Sequence, residues 1–219
     1  MAEPPKVVPI SIRRLRRAEL PADTISLARF LIGKVIVREL PTGRVAGRIV
    51  ETEAYPRRDP AAHHFHGLTP RNRSMFLRRG HAYVYFSYGN HFMLNVTAEV
   101  AGVGGGVLIR ALEPLEGIEW MERRRETTRR VDLARGPGRL ASALNIDRSL
   151  DGVDLCAAGP LWLGTQVRPR VEPGDPRAAA RAVLVAKSSR IGITRAAHRL
   201  LRFYERGSPF VSGPGRLRR

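Results

Sequence analysis

Apolar positions along the chain change spacing several times, and each change marks an element. Between residues 24 and 32 they recur at helical spacing, with Leu27, Phe30 and Leu31 on one side, Asp23 placed to cap and Gly33 at the end. Residues 35–40 and 44–54 then read as two strands folded back at Pro41-Thr42-Gly43. A second hairpin is predicted over 82–87 and 91–97, with its tip at Tyr88-Gly89-Asn90. The glycine-rich run 101–106 leads into a further strand at 107–111. Residues 114–126 predict a helix with Pro114 in its first turn and Ile118, Trp120 and Met121 buried, and 139–144 a shorter one. Strands near 161–164 and 182–186 flank a Pro-rich linker at 169–176. Between the hairpins lies a polar stretch, 55–79, rich in Pro, Arg and His. Connections of that length usually carry function. Residues 1–19 read as a loose basic lead-in and 20–219 as one domain. Strands joined mainly by hairpins predict an α+β fold, a curved and mainly antiparallel sheet with packed helices and a protruding β-hairpin.

Composition adds the partner. Lys+Arg is 38 against 20 Asp+Glu in 219 residues, a formal charge of +18, and only Lys6, Lys34 and Lys187 are lysines. A dispersed arginine surface points to a polyanion, with nucleic acid first; a plain solubility charge is the alternative. The lone Cys156 excludes an internal disulfide and a thiolate-held metal site. No apolar run approaches the ~18 residues of a membrane span, and no secretory apolar core is present near the start. A soluble cytoplasmic protein, nucleoid-associated and without membrane partners, is the expectation.

Several residues then invite chemistry. Glu51 and Glu53 sit two apart on an otherwise apolar strand, hence on one face, roughly 7 Å apart by strand rise. That spacing suits carboxylates acting on a glycosidic bond; two solvent-facing, arginine-paired acids are the alternative. Arg110 interrupts the apolar run 107–112 and needs a carboxylate partner, which Glu51 or Glu53 would supply either structurally or catalytically. Alternation groups Tyr83 with Tyr85 and Phe86 with Tyr88. Tyr88, at the hairpin tip, suits a wedge between bases as well as it suits a ring folded onto the core. Gly136 and Arg139 open a helix, where a phosphate or an ordinary helix start fits equally. The stretch from Gly102 to Gly106 lacks the residues of a phosphate loop and reads as a turn. His63, His64 and His66 lack a supporting ligand set, so no metal and no cofactor are expected.

Many blocks, taken together, carry a likeness. Arg48-Ile49-Val50-Glu51-Thr52-Glu53-Ala54-Tyr55, Ala61-Ala62-His63, Thr69-Pro70-Arg71-Asn72-Arg73-Ser74-Met75-Phe76, Tyr83-Val84-Tyr85, Tyr88-Gly89, Asn95, the run from Leu108 to Gly117, Gly136-Pro137, Arg190-Ile191-Gly192-Ile193 and Leu201-Arg202-Phe203-Tyr204 stand in one order. That order resembles the alkyladenine (3-methyladenine) DNA glycosylase family over roughly residues 27–212. The resemblance implies a base-excision repair enzyme acting on double-stranded DNA containing damaged purines, work that needs only a monomer; a non-catalytic lesion- or nucleic-acid-binding protein of the same fold is the alternative. It implies Glu53 as the base that activates water, with Arg110 and the main-chain carbonyl of Ile191 holding that water. Tyr55 on one side and His63 and Tyr85 on the other would stack on the extruded base, with Asn95 at the pocket floor. Tyr88 would fill the gap in the duplex, and Thr69 and Met75 would face the DNA. The absence of a lysine from these blocks implies a monofunctional enzyme without lyase action. The sequence departs from the family pattern in a slightly short 55–63 segment and in the histidine content of 64–66, both beside the base pocket, where substrate range is set.

Overall fold

A computed structural model describes residues 10–87, 89–167 and 183–213. It corrects the reading of the lead-in within residues 10–19. Ile12–Arg14 form an edge strand, β1, paired with a later strand, and Arg17–Glu19 form a single 3-10 turn. Arg17 anchors this stretch by bonding Asp154 and the Arg79 carbonyl. Three residues are too few to show a period, which is why the pattern missed them.

Helix α1 (Thr24–Leu31) starts where a cap is available: the Asp23 carboxylate accepts the Ser26 N–H at 2.8 Å. Its inward face is Thr24, Leu27, Ala28 and Leu31. Strands β2 (Val35–Leu40) and β3 (Gly43–Tyr55) form the first hairpin, and β4 (Ala82–Ser87) and β5 (His91–Thr97) the second, with the latter's predicted bounds met. Tyr88 lies outside the described residues. Strand β6 (Gly106–Glu116) runs longer than the apolar block suggested, and α2 (Ile118–Arg125) starts later than predicted. Pro114 does not begin a helix. It sits in β6 opposite Gly47, next to a register slip where a missing N–H is tolerated. The turn into α2 falls at Gly117, whose φ is 71° and whose Cβ would stand 2.8 Å from the Arg44 carbonyl oxygen, so only glycine fits. Then follow α3 (Pro137–Ala143), β7 (Leu161–Gln166), β8 (Val185–Ser188) and β9 (Arg202–Glu205). The expected strand at 182–186 is thus displaced towards the C-terminus, β9 was not foreseen, and the 169–176 linker falls outside the described residues.

The sheet order is β1-β7-β2-β3-β6-β5-β4, and every described pairing is antiparallel. The fold is a single α+β domain with three helices on an open sheet. Strand β3 is long enough for two neighbours along one edge. Residues 43–48 pair with β2 and residues 51–53 with β9, which β8 extends. The main core fills one face of the sheet with Leu27, Leu31, Ile49, Ile109, Leu112, Met121 and Leu140, all fully buried. Each such side chain contributes about 1.5–3 kcal/mol on burial. The opposite face holds a smaller cluster of Val50, Ala111, Tyr204 and Val211. Among the described residues no helix is long and apolar enough to cross a membrane.

Candidate active site

Where β3 meets β6 the ladder slips twice. Ile49 pairs with Leu112, Glu51 with Ala111 and Thr52 with Ile109, so the pairing passes over Val50 on one strand and Arg110 on the other. The two irregularities cancel, and the ladder regains its register beyond them. Bulges of this kind re-aim side chains beside functional sites. Here they bring Arg110 between both glutamates. Its Nε donates to Glu51 Oε1 at 2.9 Å, and its Nη1 lies 3.2 Å from Glu53 Oε1. Both carboxylates are 0% exposed and Arg110 only 7%.

The two acids nevertheless differ. Glu51 accepts four donors: Arg110 Nε, Arg202 Nε at 2.7 Å, Ser212 Oγ at 2.9 Å and the Ser212 N–H at 2.7 Å. Burial pushes its carboxyl upward, but the adjacent Arg110 and Arg202 charges and the Ser212 N–H outweigh burial and hold it below the usual carboxylate range. Three of these donors converge on Oε1, and the Ser212 N–H alone reaches Oε2. Held ionised between two guanidiniums and Ser212, Glu51 carries no proton to give. Glu53 accepts two hydrogen bonds, from the Tyr55 hydroxyl at 2.9 Å and the Ile191 N–H at 2.8 Å, and forms an ion pair with Arg110 at 3.2 Å. Those three partners all line one cavity of about 380 Å³, the size of a small-ligand site.

Expected pocket residues gather there. Tyr55, His63, Tyr85, Asn95, Arg110 and Ile191 all line the cavity. Burial, followed by the Glu53 charge, raises the Tyr55 phenol far above its ordinary value, so it remains a proton donor to Glu53. Behind the Tyr55 ring, the Arg190 guanidinium stacks at 4.6 Å. Arg190 is held by the Ala54 carbonyl at 3.0 Å and by Asp59 at 2.8 Å, and Asp59 also pairs with Arg199. Across the cavity the His63 ring meets the Tyr85 ring edge-on at 4.4 Å, Tyr85 stacks on Tyr83 at 5.4 Å, and His63 Nδ1 lies 2.9 Å from the Tyr83 hydroxyl. Asn95, 3% exposed, donates to the Tyr83 carbonyl at 3.2 Å.

Other expectations separate. Met75 is buried and lines the cavity from within, beside Gly106, so it does not form an outward surface in this structure. Thr69 is exposed in a neighbouring recess with Arg71 and Asn72. Pro137 lines the main cavity, which puts Gly136 and Arg139 beside it, although Arg139 shares the Asp132 carboxylate at 3.3 Å with Arg129 and Arg135. Gly138 lies so close to the His91 ring that a Cβ would stand 2.7 Å from it. The three neighbouring histidines part company. His63 joins the tyrosines, His64 bonds the Pro56 carbonyl at 3.1 Å, and His66 packs on Phe65. Asp59, Ser212 and the roles of Arg190 and Arg202 escaped the sequence reading. Arg202 had a signal: it interrupts Leu201 and Phe203-Tyr204 as Arg110 interrupts its own strand.

Fold and cavity together define a pocket lined by aromatic rings, with a buried carboxylate and a guanidinium meeting at one wall. The chain belongs to the methylpurine-DNA glycosylase family. Residues 18–209 match the family described as "Methylpurine-DNA glycosylase (MPG)". It is similar to a protein of Mesorhizobium japonicum named "Putative 3-methyladenine DNA glycosylase", with 62% identity over 203 residues, 93% of this chain and 92% of that one. Proteins of the same name from Paraburkholderia phytofirmans and Methanoculleus marisnigri are 50% and 47% identical. They cover 95% and 87% of this chain, and 92% and 94% of their own lengths.

Proposed function

We propose that the protein is a monofunctional DNA glycosylase that takes an alkylated or deaminated purine out of the duplex and hydrolyses its N-glycosidic bond with a water activated by Glu53. The observation that carries this reading is the setting of Glu53: its two hydrogen-bond donors, Tyr55 and Ile191, and its ion-pair partner Arg110 all line the cavity, and its Oε2 accepts from Tyr55 alone, which leaves a lone pair for a water proton. In the reaction the bond from the sugar C1′ to the base nitrogen breaks, and its electron pair leaves with the base. The water oxygen bonds to C1′, and Glu53 takes the proton. The Glu53 charge also offsets positive charge building on the sugar. A base inside the helix is out of reach, so the target is flipped into the cavity between Tyr55 on one side and His63 and Tyr85 on the other. Cationic alkylpurines gain from tyrosine faces. Asn95 at the cavity floor and the Ile191 main chain beside Glu53 fit the same scheme.

Tyr88, at the tip of the β4–β5 hairpin, is proposed to fill the vacated stack. Thr69, Gly136 and Arg139 are proposed to contact DNA, with Met75 reached from inside the pocket. The +18 charge supports a polyanionic partner. Lyase action needs an amine nucleophile, and no lysine is among the cavity-lining residues described. One active site with one base as target asks only for a monomer.

Mass-spectrometric measurement of free bases from methylated duplex DNA tests the reading. Wild-type protein should release alkylpurines and leave an abasic, unbroken strand, while Glu53→Gln should lose about a thousandfold in rate or more and still bind. Equal release by both, or binding without release by either, overturns it.

A further inference from the structure

Glu51 is fully buried and ionised, and on the reading above it touches neither base nor water. A buried charge is costly to maintain, so its partners show what it is for. It joins four parts of the chain. It is itself in β3, it receives Arg110 from β6 and Arg202 from β9, and Ser212 closes on it from the segment after β9. Arg202, 2% exposed, has no freedom of its own: its Nη1 bonds Ser188 Oγ at 3.1 Å and its Nη2 the Ser212 carbonyl at 2.8 Å. Two carboxylates and two guanidiniums thus balance within the buried cluster. Arg110 is gripped by Glu51 through Nε, the nitrogen nearest its stem, and that leaves the far end of its fork directed at Glu53 beside the cavity. The fork is planar and rigid, so fixing one nitrogen fixes the others.

We propose that Glu51, completed by Ser212, is a positioning residue that holds the Arg110 guanidinium at Glu53 and the attacking water. The inference rests on the glycosylase reading. The role belongs to its negative charge and not to its volume. Without that charge Arg202 keeps only Ser188 and the Ser212 carbonyl, Arg110 keeps only Glu53, and Arg110 turns away from the geometry the water needs.

Glu51→Gln keeps the shape and removes the charge, and Glu51→Asp keeps the charge and shortens the reach. Single-turnover base release and affinity for lesion-containing duplex are measured on wild type, Glu53→Gln, Glu51→Gln, Glu51→Asp and Ser212→Ala. Glu51→Gln is expected to lower the rate by about 10–100-fold, with affinity changed less than about threefold. Glu51→Asp is expected to recover a large part of that loss. Ser212→Ala, which leaves every charge in place, is expected to slow release by roughly 3–10-fold. Should Glu51→Gln fail to fold, Ser212→Ala decides alone: a slowed rate at unchanged affinity supports the role, and a wild-type rate overturns it. A Gln variant as fast as the Asp variant also overturns it, since shape alone would then suffice. With wild type active and Glu53→Gln inactive, these failures strike the inference only. A wild type that releases no base removes the glycosylase reading and this one together.

Discussion

The two walls of the cavity are built from different forces. Tyr55 is backed by ions: Arg190 lies on its ring, Asp59 and the Ala54 carbonyl hold Arg190, and the Arg190 and Asp59 side chains are both 0% exposed. The facing wall is built of rings: His63 meets Tyr85 edge-on, Tyr85 stacks on Tyr83, His63 bonds the Tyr83 hydroxyl, and His63 stays exposed at its edge. Breaking a buried ion pair from one side costs about 3–5 kcal/mol, while an aromatic pair is worth about 0.5–1.5 kcal/mol beyond its area. The Tyr55 wall is therefore a fixed reference plane. The His63–Tyr85 wall shifts at smaller cost, and on the proposed function adaptation to bases of different outline would belong to that side.

The contrast can be broken at its strongest point first. Asp59→Ala strands Arg190 and frees Arg199, and it should lower stability by about 3–5 kcal/mol in a urea melt. A loss under about 1 kcal/mol would show that the wall is not held by ions. Tyr85→Ala removes a stacking face and should weaken lesion-specific binding by about 1–3 kcal/mol, with undamaged duplex bound nearly as before. Comparing the two affinities by titration checks this, and a parallel loss on both DNAs would deny Tyr85 a place against the base. Tyr83→Phe deletes only the hydroxyl that meets His63, for about 0.5–1.5 kcal/mol of stability. A loss as large as that of Asp59→Ala would erase the distinction between the walls.

The smallest effect is on pH. Burial lowers His63 and His64 below the ordinary histidine value of 6.5, with the Arg71 charge adding to the effect at His63. The folded protein thus prefers both rings neutral, and below pH 6.5 the unfolded chain binds protons first. Stability should fall as the pH drops below that value and level off once the folded rings also take protons. Thermal melts between about pH 7.5 and 5 measure it, and a His64→Gln variant should show a shallower fall. A rise in stability on acidification over that range would contradict the assignment.

Elements with a full period were legible. Helix α1 and the second hairpin follow from a cap, an apolar stripe and strict alternation. Strands β1 and β9, with three and four residues, offered no period, and the end of β6 was misread because Pro114 suits a helix start as well as a bulged strand. At the site, Glu53, Arg110 and the aromatics stood out because a charge in an apolar strand, or rings in alternation, is visible locally. Asp59 looks like any loop acid until Arg190 arrives from 131 positions away. The difference between Glu51 and Glu53 was likewise illegible, because it lies in Arg202 and in a distant donor residue, Ser212, that bonds Glu51 twice.

That donor sits 161 positions from the acid it completes. During synthesis β3 leaves the ribosome long before Ser212 does, and Glu51 and Arg110 wait in a half-built sheet for β9 and the turn behind it. The buried ion cluster is consequently completed only after β9, and a nascent chain halted short of that turn carries Glu51 with its Ser212 bonds unmade.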